Sequence, residues 1–305
     1  MRPLLQGSGV ALVTPFHADL SIDWAAFDRL LAHTGPGSDF AVIAGTTGES
    51  ATLRHGEKHA LLQAARRHTA WAGKPLVLGL GGNDTEALLA EIAETDFAGV
   101  SAILSVTPYY NKPSIRGLVQ HYQMLADAAP VPVIIYNVPG RTGVNLGAAA
   151  VEELAQHPNI AGLKEASADL MQWQHQALRV PQDFCLLAGD DGLAPAMLAL
   201  GGCGVIGVMP NVVPGLFGQM VRAARAGHIA EAFALHRSYL KPNLNDALYA
   251  EGNPVGIKAA LEAAGICHAT VRPPLAEASA GLKATLAQML EEVNMQAQAL
   301  EALAG

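Results

Sequence analysis

Cysteine, aromatic residues and charged residues are all scarce in this chain of 305 residues. Only three cysteines occur, Cys185, Cys203 and Cys267, and no two of them form a C-x-x-C motif. An odd number of scattered cysteines does not form a disulfide framework, and it is typical of a protein kept in a reducing compartment. Charged residues make up 15% of the chain and hydrophobic residues 50%. We therefore expect a cytoplasmic protein with a large apolar core.

Long apolar runs and excess positive charge are also missing. No eighteen apolar residues follow one another without glycine, proline or a charge, so a membrane-spanning helix is not expected. The N-terminal sequence MRPLLQGSGVALV lacks a separate apolar segment followed by a small-residue cleavage site, which argues against a signal peptide. The formal net charge of -8 argues against nucleic acid or an anionic membrane as the main partner.

Short β-branched runs alternate with longer amphipathic segments over residues 1–226. The runs are apolar on both faces, as the strands of a parallel sheet are when both sides are covered. They are Val10–Thr14, Phe40–Ala44, Pro75–Leu80, Ala102–Val106, Val133–Tyr136, Ile160–Lys164, Phe184–Ala188 and Gly204–Val208. Their spacing of roughly thirty residues fits βαβ units, and eight such units favour a closed barrel over an open sheet. We predict an α/β fold, a (β/α)8 TIM barrel with a C-terminal helical extension.

Helix start signals stand between the predicted strands. They are Asp23, Asp84, Ser114, and Asn211 together with Pro214. Residues 227–305 look wholly helical and end in the Ala/Leu-rich segment Leu275–Ala304. Because no linker-like composition separates them, we predict that they pack on the barrel, or between subunits, as one structural unit with it.

Lys164 is the candidate nucleophile. Chemistry in such a barrel belongs to the C-terminal ends of the strands, and Lys164 closes an otherwise apolar strand there. A lone lysine is usually solvated, but the other strand ends place hydroxyls, small residues and an arginine around this one. An enclosed, partly apolar site lowers the pKa of a lysine. The neutral amine then attacks a ketone and forms an iminium that serves as an electron sink.

Other strand ends offer what a Schiff-base reaction on a 2-keto acid requires. Thr46 and Thr47 sit in a glycine-flanked turn whose hydroxyl and N–H groups suit a carboxylate. Tyr136, helped by Thr46 and a second tyrosine, is expected to relay protons. Arg141 presents a planar fork for a carboxylate on a second substrate. Each residue taken singly is more often packing or turn chemistry, but their joint occurrence favours a site.

Seven motifs carry a resemblance to a known family. They occur in order along the chain, as GTTGES, TPYYN, YNVPGRTG, GLKEAS, GDD, GVIGV and GNPVGIK. As a set they resemble the dihydrodipicolinate synthases, also called 4-hydroxy-tetrahydrodipicolinate synthases. The resemblance implies a lyase of amino-acid biosynthesis that joins pyruvate to L-aspartate 4-semialdehyde at the start of the lysine and diaminopimelate branch. It implies no organic cofactor and no metal, and usually a homotetramer built from tight dimers.

The resemblance assigns a role to each matching residue. Lys164 matches the lysine that takes pyruvate as a Schiff base, and Tyr136 the tyrosine that exchanges protons above it. Thr46 and Tyr110 match the rest of the proton relay, with this tyrosine reaching in from the neighbouring subunit. Thr47 and Ile206, the latter through its backbone, match positions that hold pyruvate, and Gly189 is a further substrate-binding position. Arg141 matches the arginine at the site entrance that binds the semialdehyde carboxylate.

Two alternatives remain beside this assignment. N-acetylneuraminate lyases and 2-keto-3-deoxy sugar acid aldolases share the lysine and the tyrosine, but they need polar groups for a polyhydroxylated chain. Arg141 in an intact YNVPGRTG segment, together with GTTGES, favours the synthase. A catalytically silent keto-acid-binding barrel would need a gap among the catalytic residues, and the sequence shows none.

Regulation by lysine is expected to be weak or absent. In lysine-inhibited members of the family, a pocket at the dimer interface commonly has His where this chain has Lys58 and Glu where it has Ala87. Lys58 would place a cation where the ammonium group of lysine must fit. Positions that do match the pocket are Ser50, Ala51, His55, Asn83 and Tyr109.

Three further patterns resemble functional motifs. Residues 202–207 match G-x-G-x-x-G, but the match runs from a predicted helix into a strand, the reverse of a dinucleotide site. His55 and His59 are four residues apart without a third ligand nearby, so we expect them on a helix surface rather than at zinc. The pair Asp190–Asp191 is expected to cap a turn.

Overall fold

Eight parallel strands close into a barrel. The computed structural model describes residues 4–238 and 242–304, with side chains described over 4–237 and 244–293. Each strand pairs with the next, and the last pairs with the first. The strands are β1 Gly7–Ala11, β2 Phe40–Ile43, β3 Leu76–Gly79, β4 Ala102–Val106, β5 Val133–Asn137, β6 Ile160–Glu165, β7 Cys185–Ala188 and β8 Gly204–Gly207. The predicted (β/α)8 barrel is confirmed.

The first strand is the one that the sequence placed wrongly. It begins three residues before the predicted Val10, because Gly7 to Val10 pair with Gly204 to Gly207 and close the barrel. The ring of Phe40 lies against Gly9, where an added Cβ would come within 2.2 Å of it. Glycine is therefore required for this close packing, although it looks like a loop residue in the sequence.

Helices cover the outside of the barrel and continue into a C-terminal extension. They are α1 Trp24–Thr34, α2 Glu57–Arg67, α3 Thr85–Glu94, α4 Ile115–Ala128, α5 Pro139–Thr142, α6 Ala148–Leu154, α7 Leu170–Ala177, α8 Ala194–Ala199, α9 Pro214–Arg225, α10 Ile229–Ser238, α11 Pro242–Tyr249, α12 Val255–Ala263 and α13 Ala280–Ala304. None within the described residues is long and apolar enough to cross a membrane.

All four predicted helix starts are confirmed, three of them with the predicted cap. The side chains of Asp23, Asp84 and Ser114 each accept a hydrogen bond from the backbone N–H three residues ahead, as N-caps do. At the fourth start α9 begins at Pro214, as predicted, but Asn211 does not cap it. The buried Asn211 side chain instead donates to the Ala11 carbonyl and accepts from the Val13 N–H, which ties the end of β1 to the turn after β8.

Apolar side chains form two cores that alternate along the strands. The core of the barrel lumen includes Phe40, Val42, Leu104, Ile134 and Leu187, with Leu5 closing its lower end. A larger core lies between the strands and the helices. Because strand side chains alternate between the two cores, the upper lumen is left to the polar residues described below.

The extension is less helical than the sequence predicts. Residues 265–279 contain no helix, and α13 begins at Ala280 rather than at Leu275. Pro273 and Pro274 break the pattern, since proline cannot donate within a helix. This irregular segment contacts the barrel through Arg272, whose guanidinium binds the Glu57 carboxylate at 2.6 Å and the carbonyls of Leu20 and Thr52.

Candidate active site

Lys164 and Tyr136 lie side by side at the upper end of the lumen. They are register partners on the adjacent strands β5 and β6, and only 5% and 7% of their surfaces are exposed. The Lys164 Nζ lies 4.3 Å from the centroid of the Tyr136 ring. An amine and a phenol are therefore held together in a buried pocket at the end of two strands.

The environment of Lys164 favours its neutral form. Burial lowers the pKa of Lys164 from its ordinary value of 10.5 to about 8. The Asp191 carboxylate acts in the opposite direction, and the Arg141 guanidinium lowers this pKa further. A neutral amine is the form that attacks a carbonyl carbon, so the pocket prepares Lys164 as a nucleophile near neutral pH.

Tyr136 stays protonated and is connected to the turn after β2. Burial raises the pKa of Tyr136, against the smaller effects of Arg141 and of a side-chain hydrogen bond with Thr46. A phenol that stays protonated can give a proton to a neighbouring oxygen and take it back. Lys164, Tyr136 and Thr46 are thus three predicted site residues that the structure brings together.

The turn after β2 is fixed by groups that the sequence did not single out. Thr47 is buried, and its hydroxyl accepts a 3.0 Å hydrogen bond from the Asn253 side chain. Glu49, at a positive φ of 57°, forms a buried ion pair with Lys258. Its other oxygen accepts from the Arg272 backbone N–H. Three residues of the C-terminal extension therefore hold the turn that carries Thr46 and Thr47.

Arg141 marks the open side of the site. It lies in the short helix α5 and is exposed, and its Nη2 donates to the Asn253 carbonyl at 3.3 Å. Tyr249, at the end of α11, is a residue that sequence reasoning missed. Burial raises its pKa, and the neighbouring charges of Asp191 and Asp190 raise it further. Arg141 and Tyr249 thus lie close enough to Tyr136 and Lys164 for their charges to act on the same site.

The remaining residues predicted to bind substrate lie at the ends of β7 and β8. Ile206 is a buried residue of β8, and the Gly189 N–H donates to the Glu165 carbonyl at 2.7 Å. Asp190 caps the following turn, as predicted. Asp191 does more: it is 1% exposed and accepts from the N–H groups of residues 208 and 209.

Asp191 is a buried carboxyl group close to the nucleophile. Burial raises its pKa to about 6, against the hydrogen bonds from the two N–H groups. Its Oδ1 has no hydrogen-bond partner and lies against Gly207, where an added Cβ would come within 2.4 Å of it. The sequence indicated Asp191 only as part of the GDD motif, where the pair Asp190–Asp191 was expected to cap a turn. Over the described residues, no group of three or more His, Cys, Asp or Glu side chains is arranged to hold a metal ion.

Tyr110 does not join the buried group within one chain. Its side chain is 88% exposed, and its backbone has a positive φ of 71°. A tyrosine in this conformation is uncommon outside glycine-like positions. The loop therefore projects the ring of Tyr110 into the solvent, away from the site of its own chain, and Tyr109 beside it is also exposed.

Two cavities contain most residues of the predicted regulatory pocket. One, of about 320 Å³, extends from Thr46 and Arg141 to the residues Ser50, Ala51, Lys58 and Tyr109. The other, of about 800 Å³, is lined by residues that include Ser50, His55, Lys58, Ala87 and Glu91. Asn83 lines neither of these two cavities, and its carbonyl accepts from the Asn111 side chain.

Lys58 lines both cavities, and its charge is already paired. Its Nζ binds the Glu91 carboxylate at 2.7 Å.

The two histidines His55 and His59 were expected on a helix surface. This prediction is correct for His59, which lies in α2, and wrong for His55, which precedes that helix. Gly56 adopts a positive φ before the helix starts, so the chain turns between the two histidines.

Comparison with known proteins agrees with this geometry. The model of the dihydrodipicolinate synthetase family matches residues 4–293. The 4-hydroxy-tetrahydrodipicolinate synthase of Cytophaga hutchinsonii is 44% identical over 90% of this chain and 92% of its own length. The crystal structure of the DHDPS of Cyanidioschyzon merolae with lysine bound has a TM-score of 0.90, at 36% identity over 96% of this chain and 99% of that one.

A structure complexed with pyruvate has the same TM-score. The chloride-inhibited dihydrodipicolinate synthase of Acinetobacter baumannii, complexed with pyruvate, has a TM-score of 0.90, at 34% identity over 95% of this chain and 99% of that one. Family model, relatives and solved structures agree over nearly the full length of the chain. The chain therefore belongs to the dihydrodipicolinate synthetase family.

Proposed function

We propose that this protein is a 4-hydroxy-tetrahydrodipicolinate synthase, a lyase that condenses pyruvate with L-aspartate 4-semialdehyde. The family membership supports this reaction. The observation that carries the proposal is the buried Lys164, whose amine lies over the Tyr136 ring with its pKa lowered to about 8. The reaction opens the lysine and diaminopimelate branch.

In the first half-reaction Lys164 takes pyruvate. The amine attacks the keto carbon, and Tyr136 gives the oxygen a proton so that it leaves as water and an imine remains. Thr47 and the backbone at Ile206 hold the pyruvate carboxylate and orient the keto group, while Gly189, whose N–H is bonded to the Glu165 carbonyl, leaves room for the substrate. Loss of a proton from the methyl group then gives an enamine, whose carbon is the nucleophile for the next step.

In the second half-reaction the enamine attacks the aldehyde carbon of the semialdehyde. Arg141 binds the carboxylate of this substrate as a planar fork, and a proton from the Tyr136–Thr46 relay reaches the new alkoxide. The amine of the semialdehyde then attacks the imine carbon and displaces Lys164. The ring closes as 4-hydroxy-tetrahydrodipicolinate, one water is released overall, and the free amine of Lys164 returns.

The same proposal covers assembly and location. Tyr110 is expected to complete the proton relay in a neighbouring subunit, which its exposure and positive φ support. We expect a dimer as the active unit and a tetramer of two dimers. Residues 1–226 and 227–305 are proposed to act as one structural unit, because Lys258 and Asn253 of the extension bind the turn at Thr47 and Glu49. Free cysteines support a cytoplasmic location.

The deciding experiment is pyruvate-dependent consumption of L-aspartate 4-semialdehyde. Wild type should turn over, and Lys164→Ala should not. The matched control is Lys283→Ala, which removes a partly exposed lysine of α13 that is paired with Glu262 and Glu277 and should keep full activity.

A second measurement separates the nucleophile from the acceptor. Borohydride reduction in the presence of pyruvate should add the mass of a reduced pyruvyl group at Lys164. A wild-type protein that forms this adduct but leaves the semialdehyde untouched would refute the acceptor assigned to Arg141. A wild-type protein that forms no adduct would refute the Schiff-base mechanism itself.

A further inference from the structure

We propose that Glu165 is a positioning residue for the reaction, and that with Asn137 it forms a clamp behind the reactive pair. The inference rests on the proposed function. Lys164 and Tyr136 are register partners, and the next partners along the same two strands are Glu165 and Asn137. Because strand side chains alternate, the first pair faces the lumen and the second pair faces the helices.

The two clamp residues are bonded directly across the strands. The Asn137 Nδ2 donates to both carboxylate oxygens of Glu165, at 3.0 Å each. The Asn137 carbonyl accepts from the Ala166 N–H at 2.9 Å, and the Glu165 carbonyl accepts from the Gly189 N–H at 2.7 Å. The ends of β5, β6 and β7 are therefore joined one residue beyond the nucleophile.

Further neutral donors complete the surroundings of the carboxylate. Glu165 is 1% exposed, and it accepts hydrogen bonds from the Ser167 N–H at 2.7 Å, the Gln172 side chain at 3.0 Å and the Gln176 side chain at 2.8 Å. The described side chains give Glu165 no salt bridge. A carboxylate only accepts hydrogen bonds, so it can pair with all the N–H donors around it. An amide in its place would point its own NH₂ group at some of these donors.

Asn137 is held in turn by the segment that leads into α6. Its Oδ1 accepts from the Leu146 N–H at 3.0 Å, and its Nδ2 also donates to the Asn145 side chain at 2.8 Å. Asn145 and Gln172 bond to each other as well. The clamp thus connects the strand ends to two outer segments, so neither Lys164 nor Tyr136 can shift without breaking several hydrogen bonds.

Burying a carboxylate without a cation destabilises the folded state. Its presence at this position therefore calls for a functional reason. Lys164 forms and breaks bonds to carbon several times in each turnover, while the Tyr136 hydroxyl must stay within reach of the same carbon and oxygen atoms. A misplacement of about 1 Å can slow a reaction by roughly a hundredfold. The clamp supplies the rigidity that this pair requires.

The clamp acts through geometry rather than through charge. The influences on the pKa of Lys164 are burial, Asp191 and Arg141, and Glu165 is not among them. Replacing Glu165 should therefore slow imine formation without moving its pH dependence. That combination distinguishes positioning both from electrostatic tuning and from a purely structural role.

The test measures the rate of borohydride-trapped pyruvate adduct formation against pH, at a temperature where each variant is folded. Glu165→Gln should slow the rate roughly 10- to 100-fold with an unchanged midpoint, because the new NH₂ group faces donors. The reversed pair Asn137→Asp with Glu165→Gln should recover part of the rate, since the cross-strand donor and acceptor are exchanged while the donors of Ser167, Gln172 and Gln176 remain. Glu152→Gln, at an exposed ion pair with Arg179, is the control and should match wild type.

The outcomes separate this inference from the proposed function. If wild type forms no pyruvate adduct, the proposed function fails. If wild type and Glu165→Gln form the adduct at the same rate, or if the reversed pair is no faster than the single variant, the clamp is refuted. Should Glu165→Gln not fold, Asn137→Ser removes the cross-strand bonds and leaves the donors of α7 in place. A normal rate in that variant would equally refute the clamp.

Discussion

The rate of imine formation should depend on pH with a midpoint near 8, far below the range of an ordinary lysine. Burial lowers the pKa of Lys164 from 10.5 to about 8, and 5% exposure leaves little solvent to screen the effect. This lowering of the pKa corresponds to about 3 kcal/mol. At pH 7 the neutral fraction rises from roughly 0.03% to roughly 9% by the same relation, a gain of about 300-fold in reactive amine.

The assay is the rate of the pyruvate adduct trapped by borohydride between pH 6 and 10. Only the neutral amine reacts, so the rate should rise about tenfold per pH unit below the midpoint and level off above it. The charges beside Lys164 determine the direction in which two substitutions should move this midpoint. Asp191→Asn removes a carboxylate that raises the pKa of Lys164 and should move the midpoint down, whereas Arg141→Gln should move it up.

Two results would refute this reasoning. A rate that still rises about tenfold per pH unit between pH 9 and 10 would mean that the pocket does not lower the pKa of Lys164. Shifts of the same sign in Asp191→Asn and Arg141→Gln would mean that the midpoint does not report the two charges. Lys164→Ala supplies the background rate at every pH.

Three further predictions concern other parts of the molecule. Lys258→Met should reduce the free energy of unfolding in urea by about 3–5 kcal/mol, because the buried Glu49 loses its cation; a loss below about 1 kcal/mol, the value of an exposed pair, would contradict this. L-Lysine at micromolar concentration should leave the wild-type rate unchanged, because the ammonium of Lys58 lines the pocket where the ammonium of lysine would have to fit; inhibition in that range would count against it. Arg141→Gln should raise the KM for the semialdehyde at least about tenfold, because one charged hydrogen bond is lost. The assay should be run above pH 9, where the nucleophile is already neutral, and an unchanged KM would exclude the proposed contact.

Most of the barrel could be predicted because its strands are apolar on both faces. The bounds of Ala102–Val106 agree with β4 as found, and the other central strands differ by a residue or so at their ends. β1 was misplaced because Gly7 and Gly9 suit close strand packing yet look like turn residues. The extension was predicted as too helical, since an irregular segment held by Arg272 leaves no periodic signal.

The site residues at the strand ends could also be predicted from the sequence, but the residues that hold them in place could not. Lys164 and Tyr136 were found because each stands at the end of an apolar run. The partners Glu49 and Lys258 are 209 residues apart, and nothing local in the sequence says that they meet. Asn253 was visible only as part of a motif, and its two bonds to the mouth depend on the packing of the whole extension.

Asn253 has a consequence for how this enzyme can diversify. Its amide donates to Thr47 on one side of the mouth, and its carbonyl accepts from Arg141 on the other. A single position near α11 thus links the residue proposed to bind the keto acid with the residue proposed to bind the aldehyde. Exchanging residues 245–252 between relatives while keeping Asn253 would change the surroundings of Tyr249 and leave every strand, and both bonds of Asn253, in place. The extension is where a designer, or natural selection, would alter the product.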